Sequence, residues 1–280
     1  MINELAFIKM HGLGNDFIVL DGRKSEVALS QEQFHIMSDR CRGVGCNQLL
    51  TILPPKDKGF AYVEIHNSDG SLAEACGNGI RCVASLLMDE DNVNKIVLET
   101  MNGSLVCTRS SNECVTVCMG KPNFNWSDIP IAVETDTLKV TVLGAESYGP
   151  ATMVNIGNPH AVFFVDDVEI LDLLSIGPLI ENNLIFPKRS NVEFVKVLSP
   201  NRLRVRFWER GAGMTQACGS GACATVVAGI LRGVINGRSA SVVQDGGILD
   251  ITWGSDEQVY MTGPVAISFL GIIDFSIIKS

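Results

Sequence analysis

Similar segments recur along this chain at a nearly constant separation, which restricts it to folds built from two like halves. Gly14-Asn15-Asp16 leads into the apolar run Phe17–Leu20, and Gly157-Asn158-Pro159-His160 leads into Ala161–Phe164, so Asn15 and Asn158 stand 143 residues apart. Ala-Cys-Gly-x-Gly occurs at Ala75–Gly79 and at Ala217–Gly221, placing Cys76 and Cys218 142 apart. Apolar residues at helical spacing follow each segment: Ile80, Val83, Ala84, Leu87 and Met88, then Cys223, Val226, Val227, Ile230 and Leu231. Gly-led strand pairs come next, beginning at Gly103 and Gly247. Any one of these matches is weak, but a shared offset across all of them predicts two homologous halves.

The expected halves are 1–121, carrying Cys76, and 122–264, carrying Cys218, with an apolar strand within 265–280 returning to the first half. Between the landmarks the chain reads as short strands at Phe60–His66, Lys95–Glu99, Cys114–Cys118, Val192–Val197, Leu203–Trp208 and Ser241–Gln244. Smaller helices are expected near Ser30–Cys41, with Ser30 as N-cap, and near Leu173–Asn182. The class is therefore α+β, with the halves related by a pseudo-two-fold.

Composition narrows the function. Of 280 residues 46% are hydrophobic and 19% charged, enough to build a packed core. The net charge of −9 disfavours nucleic acid as a partner, since a phosphate backbone calls for a basic face. No apolar run approaches the ~18 residues of a membrane span, and the first residues do not form a signal peptide. A cytoplasmic protein is expected, and nine cysteines, an odd number in a long chain, fit free thiols in a reducing compartment.

Cys76 and Cys218 each precede the first turn of an expected helix. The unpaired N–H groups there favour negative charge, so both thiols are expected to have lowered pKa values. The same groups form a cradle suited to a carboxylate. If the halves face one another, one carboxylate is held between two helix ends, with a sulfur on each side of the carbon that bears it. One thiolate then removes the α-proton and the opposite thiol returns a proton to the other face. A disulfide between Cys76 and Cys218 is the competing reading, and the composition weighs against it as the working state. Cys41/Cys46 and Cys114/Cys118 lack the usual zinc spacing, so no metal is expected. Neither Gly-rich corner fits a nucleotide-binding loop.

The segments MHGLGNDFIVLDG (Met10–Gly22), NSDGS (Asn67–Ser71), ACGNGIRC (Ala75–Cys82), GNPHAV (Gly157–Val162) and ERGAGMTQACGSGACA (Glu209–Ala224) closely resemble the diaminopimelate epimerase family, in family order and over nearly the whole chain. The resemblance implies halves that are each a strongly curved, barrel-like sheet around a central helix. It implies interconversion of LL- and meso-diaminopimelate on the route to lysine and peptidoglycan, with no pyridoxal phosphate or other cofactor, and a homodimer. It assigns Cys76 and Cys218 as the acid/base pair, and Gly77-Asn78 and Gly219-Ser220 as the carboxylate cradle. Asn15, Gln48, Asn67, Asn158, Asn191, Glu209 and Arg210 match residues around the substrate, where Arg210 can grip a distal carboxylate and Glu209 an ammonium group. His160 reads either as an aid to proton movement or as a packed histidine. Asn47 and Met214 depart from the family pattern, which more often has an acid at each. A lost carboxylate four residues before Cys218 is expected to alter that thiol. A racemase for a histidine-, lysine- or proline-like substrate with the same cysteine pair is one alternative. A non-catalytic amino-acid-binding or redox-sensing protein is another.

Overall fold

Ser30 closes a capping box on the first helix: its side chain accepts from Gln33 N, and the Gln33 side chain accepts from Ser30 N. The helix runs Gln31–Ser38 and stops short of Cys41. Such local signals recur through a computed structural model that describes residues 4–73 and 76–275. Ala75, which opens the first Ala-Cys-Gly segment, lies outside the described residues, as do residues 1–3 and 276–280 at the ends of the expected first half and last strand.

The chain divides into two compact units, Met1–Val117 with Gly263–Ser280, and Cys118–Thr262. In chain order the first contains β1 (Glu4–Gly12), β2 (Asn15–Asp21), α1 (Gln31–Ser38), β3 (Gln48–Leu53), β4 (Ala61–Asn67), α2 (Gly77–Glu90), β5 (Lys95–Thr100), β6 (Gly103–Arg109) and β7 (Cys114–Cys118). The second follows with β8 (Thr152–Asn155), β9 (Pro159–Phe164), α3 (Leu173–Glu181), β10 (Asn191–Ser199), β11 (Arg202–Glu209), β12 (Gly213–Thr215), α4 (Gly219–Leu231), β13 (Ser239–Gln244), β14 (Gly247–Trp253) and β15 (Val259–Pro264). The last strand, β16 (Ala266–Asp274), returns to pair antiparallel with β1.

Both units use one topology. In the first, β1 and β2 form a hairpin, β2 lies parallel to β3 across α1, and β3 pairs antiparallel with β4. Then β4 lies parallel to β5 across α2, and β5, β6 and β7 form a meander. The second repeats this order: β8–β9 hairpin, β9 parallel to β10 across α3, β10–β11 antiparallel, β11 parallel to β13 across α4, then β13–β14–β15. Even the register is retained, with Phe17 opposite Gln48 and His160 opposite Asn191. The short β12 beside β11 has its counterpart in the first unit in the isolated bridge between His66 and Leu72, the repeat positions of Trp208 and Met214.

Each sheet curls around its longest helix. Helix α2 contacts β1, β2, β5 and β6, strands spread across its sheet, and α4 contacts β8, β9, β10, β11, β13 and β14. The apolar spacing explains this enclosure. Ile80, Val83, Ala84, Leu87 and Met88 are all buried, and α4 is buried almost all round through Gly229. A helix covered on every side has no polar face to keep, so it becomes the axis of its unit. A further cluster in the second unit packs Ile129, Ile131, Val140 and Val142 from the segment before β8 against Phe163, Phe194 and Ile176. In the first unit Phe7, Ile18, Leu20, Leu49 and Ile273 pack with Met37 of α1. No described helix is long and apolar enough to cross a membrane.

Candidate functional site

The two Cys-Gly corners fold alike because each cysteine takes the role usually filled by Ser or Asp. Cys76 is the N-cap residue of α2, and its Sγ accepts from Gly79 N at 3.4 Å; Cys218 caps α4, with Gly221 N at 3.4 Å from its Sγ. One of the otherwise unpaired first-turn donors is thus spent on each sulfur. The N–H groups of Gly77 and Asn78, and of Gly219 and Ser220, have no acceptor within their own helix by position, which suits them to an incoming carboxylate.

Around Cys76 the first unit gathers amides. The thiol donates to Asn15 Oδ1 at 3.7 Å, and that oxygen also accepts from Asn78 Nδ2 at 3.3 Å. Asn78 is oriented by buried Arg81, whose Nη1 donates to Asn78 Oδ1 at 2.8 Å. Gln48 and Asn67, opposite one another on β3 and β4, join through Nε2 to Oδ1 at 3.1 Å, and Asn67 donates onward to Ser71 Oγ. Behind Asn15, Asp16 binds Lys9 at 2.6 Å and Arg40 at 2.7 Å. Burial alone would raise the Asp16 carboxyl, but Arg40 and Lys9 together hold it below its ordinary value. Asn47 belongs to this cluster, its Oδ1 accepting from Asp16 N and from Arg40.

The second unit repeats the pattern with different chemistry. Asn158 Nδ2 donates to Ser220 Oγ at 3.3 Å, and Ser220 Oγ lies 3.6 Å from Cys218 Sγ. These are the repeat positions of Asn15, Asn78 and Cys76. Asn158 Oδ1, however, meets His160 Nε2 at 2.8 Å, and His160 Nδ1 meets Glu193 Oε1 at 2.7 Å, with both side chains buried. Asn191 Oδ1 accepts from Arg210 N at 2.9 Å, and Arg210 Nη1 donates to Lys188 O. Glu209 accepts from Thr215 Oγ1 at 2.5 Å. Glu181 holds the adjoining turn, accepting from Trp208 Nε1 at 2.7 Å and Gly211 N at 2.9 Å.

One expectation needs correction. Position at a helix N-terminus predicts a lowered thiol pKa, yet burial pushes Cys218 well above the ordinary 9.0, and Glu209 pushes the same way against the Gly221 N–H. Desolvation scales with how completely water is excluded, and Cys218 is only 4% exposed. Met214 is exposed on β12, with its Sδ 3.5 Å from Arg206 Nη2.

His160 is buried and hydrogen-bonded on both ring nitrogens. Its partner Glu193 was not anticipated, nor were Arg81, Gln244 (whose Oε1 accepts from Cys218 N at 2.9 Å) and Glu181. For Glu193 a signal existed in the repeat. The positions equivalent to His160 and Glu193, 143 residues earlier, are Phe17 and Leu50, both fully buried. Two ionisable residues in place of a core pair mark a site where the halves diverge for a reason other than packing.

The duplicated sheet-and-helix units place the chain in a fold class that solved epimerases share. Over 97% of this chain and 99% of the other, a phenazine biosynthesis protein from Bacillus anthracis superposes with a TM-score of 0.69 at 12% identity. A hydroxyproline epimerase from Agrobacterium vitis does so with a TM-score of 0.68 at 14% identity, over 98% and 93%. At those identities only the fold is shared. The sequence model of diaminopimelate epimerase matches residues 7–125 and 152–268. A diaminopimelate epimerase from Rhodospirillum centenum is 48% identical over 95% of this chain and 91% of its own length, and one from Acidiphilium cryptum is 44% identical over 96% of each. The chain belongs to the diaminopimelate epimerase family.

Proposed function

We propose that this chain epimerises diaminopimelate, interconverting the LL and meso forms by proton transfer at one α-carbon between Cys76 and Cys218. It is an isomerase, and the substrate follows from family membership supported by relatives at 42–48% identity over most of the chain. The observation that carries the chemistry is the pair of thiols at equivalent N-caps, each beside an amide that binds substrate in this reading. In the scheme one sulfur is a thiolate and takes the α-proton, leaving charge spread onto the carboxylate. The N–H groups of Gly77, Asn78, Gly219 and Ser220 receive that charge. The other thiol delivers its proton to the opposite face, so the two cysteines exchange protonation states with each turnover. No organic cofactor or metal is needed for the step. Asn15, Asn158, Gln48, Asn67 and Asn191 orient the substrate, Arg210 pairs with its distal carboxylate and Glu209 accepts from an ammonium group. The two compact units act as the two domains of this reaction.

The same reading includes self-association and a reducing compartment. Ile267, Leu270 and Ile272 of β16 are 54%, 71% and 70% exposed, an apolar edge that suits a second copy of the chain. All nine cysteines are free thiols, which fits the cytoplasm. Proton NMR in D₂O with LL-diaminopimelate tests the activity. Deuterium should enter one α-position as the LL form is lost, and Cys76→Ala and Cys218→Ala should each abolish this. Exchange with histidine or proline but not with diaminopimelate would sink the proposed substrate while keeping the two-thiol chemistry.

A further inference from the structure

The second unit contains an ionisable pair where the first has hydrophobic core. Leu50 Cδ1 lies 2.9 Å from where a Cβ on Gly79 would stand, and Glu193 Oε1 lies 2.8 Å from the same point on Gly221. Both residues therefore sit directly beneath the first turn of the cysteine-bearing helix. His160 and Glu193 are 0% and 1% exposed, and Glu193 Oε2 has no hydrogen-bond partner among the described residues. A buried carboxylate with one oxygen unpaired is costly, whereas a neutral carboxyl with an unpaired carbonyl oxygen costs much less. Burial, the largest influence, accordingly pushes Glu193 above the ordinary carboxyl value despite His160.

A neutral Glu193 fixes the sense of every hydrogen bond beyond it. Oε1–H donates to His160 Nδ1, which leaves the imidazole proton on Nε2. Nε2–H donates to Asn158 Oδ1, so the Asn158 amide must present Nδ2–H to Ser220 Oγ. With its oxygen accepting from Asn158, the Ser220 hydroxyl turns its own proton to Cys218 Sγ. We propose that Glu193 is a positioning residue for Cys218, its proton setting a one-way chain through His160, Asn158 and Ser220 that aims a donor at the sulfur. The first unit has no ionisable pair at these positions, since Phe17 and Leu50 occupy them, and Asn15 is oriented by Asn78. The consequence is specific to Cys218. Glu209 and burial keep the resting thiol protonated, and the Ser220 and Gly221 donors stabilise the thiolate when proton transfer creates it.

This inference rests on Cys218 as a proton carrier, but its test needs no substrate. The rate at which methyl methanethiosulfonate modifies Cys218 in the intact protein at neutral pH follows the thiolate fraction, and peptide mass mapping reads it with Cys76 as an internal reference. Glu193→Leu, which installs the residue of the other half, should slow Cys218 about tenfold, the worth of one hydrogen bond to a charged group, and leave Cys76 unchanged. Ser220→Ala should slow it equally, and the double variant no further. Glu193→Gln keeps an N–H facing Nδ1 and should stay within about twofold of the parent. If Glu193→Leu folds poorly, pairing it with His160→Phe restores the packing of the first half and carries the same expectation. The proposal is overturned if Cys218 reacts at the parent rate in the Leu variant, if Gln is as slow as Leu, or if the Leu and Ala effects multiply. Loss of diaminopimelate turnover with these thiol results intact would count against the substrate and not against the chain.

Discussion

At Cys218 the helix N-terminus pulls the thiol one way and its buried, acidic surroundings the other. The Gly221 N–H stabilises a thiolate, while burial, the largest influence, and Glu209 oppose it and win. Neutralising Glu209 removes one opposing charge. Glu209→Gln should therefore speed thiol modification of Cys218 severalfold at neutral pH, while the ammonium-binding role proposed for Glu209 predicts a fall in kcat/KM; an unchanged modification rate would show that the carboxylate does not reach the sulfur. Met214 carries a different expectation. Its neighbour is Arg206 and its side chain is exposed, so Met214→Glu gains a surface ion pair of at most about 1 kcal/mol. Activity should stay within about twofold, and a larger change in the pH–rate profile would contradict this placement.

Among elements, the two cysteine helices are matched in form and differ in what lies under them. A Cβ at Gly79 meets the end of the Leu50 side chain at 2.9 Å; at Gly221 it meets Glu193 Oε1 and the Phe207 ring, both at 2.8 Å. Leucine can shift a methyl, but a hydrogen-bonded carboxyl and a ring 1% exposed have less freedom. Gly221→Ala should cost about 1–3 kcal/mol in urea unfolding, more than Gly79→Ala, and equal losses would argue against a rigid floor under α4. Ser30→Ala should cost about 1 kcal/mol by removing a capping box. The helices were legible because their signals are local: a cap, a glycine turn and apolar spacing within one or two turns. The strand β12 was not, because Gly213–Thr215 is too short to show a period.

For the molecule as a whole, buried thiols set an alkaline limit. Burial raises Cys46, carries Cys82 to about 12 and raises Cys218. Each folded value lies above the ordinary 9.0, so the unfolded chain releases these protons first as pH rises. Their contribution to stability is complete below pH 9.0 and is lost as pH climbs toward the folded values. Thermal melting should fall steadily above pH 9, and replacing Cys82 with Ala should flatten that fall; an unchanged slope would mean the thiols do not set it. Asp16 acts at the other end. Its lowered pKa gives stability present above 3.8 and lost as pH drops below, so Asp16→Asn should blunt acid unfolding.

The offset of 142–144 residues, the helical spacing after each Cys-Gly-x-Gly and the family motifs were all readable from sequence. They depend on residues near one another in the chain, where backbone geometry ties spacing to position. Tertiary structure alone decided what surrounds each feature. It placed Glu193 beneath Gly221 and Leu50 beneath Gly79, moved Met214 to an exposed strand, and buried Cys218 deeply enough to reverse the shift its helix predicts. Desolvation and through-space charge act over ångströms and not over sequence, so residues more than a hundred positions apart can be compared by repeat but their surroundings only by folding.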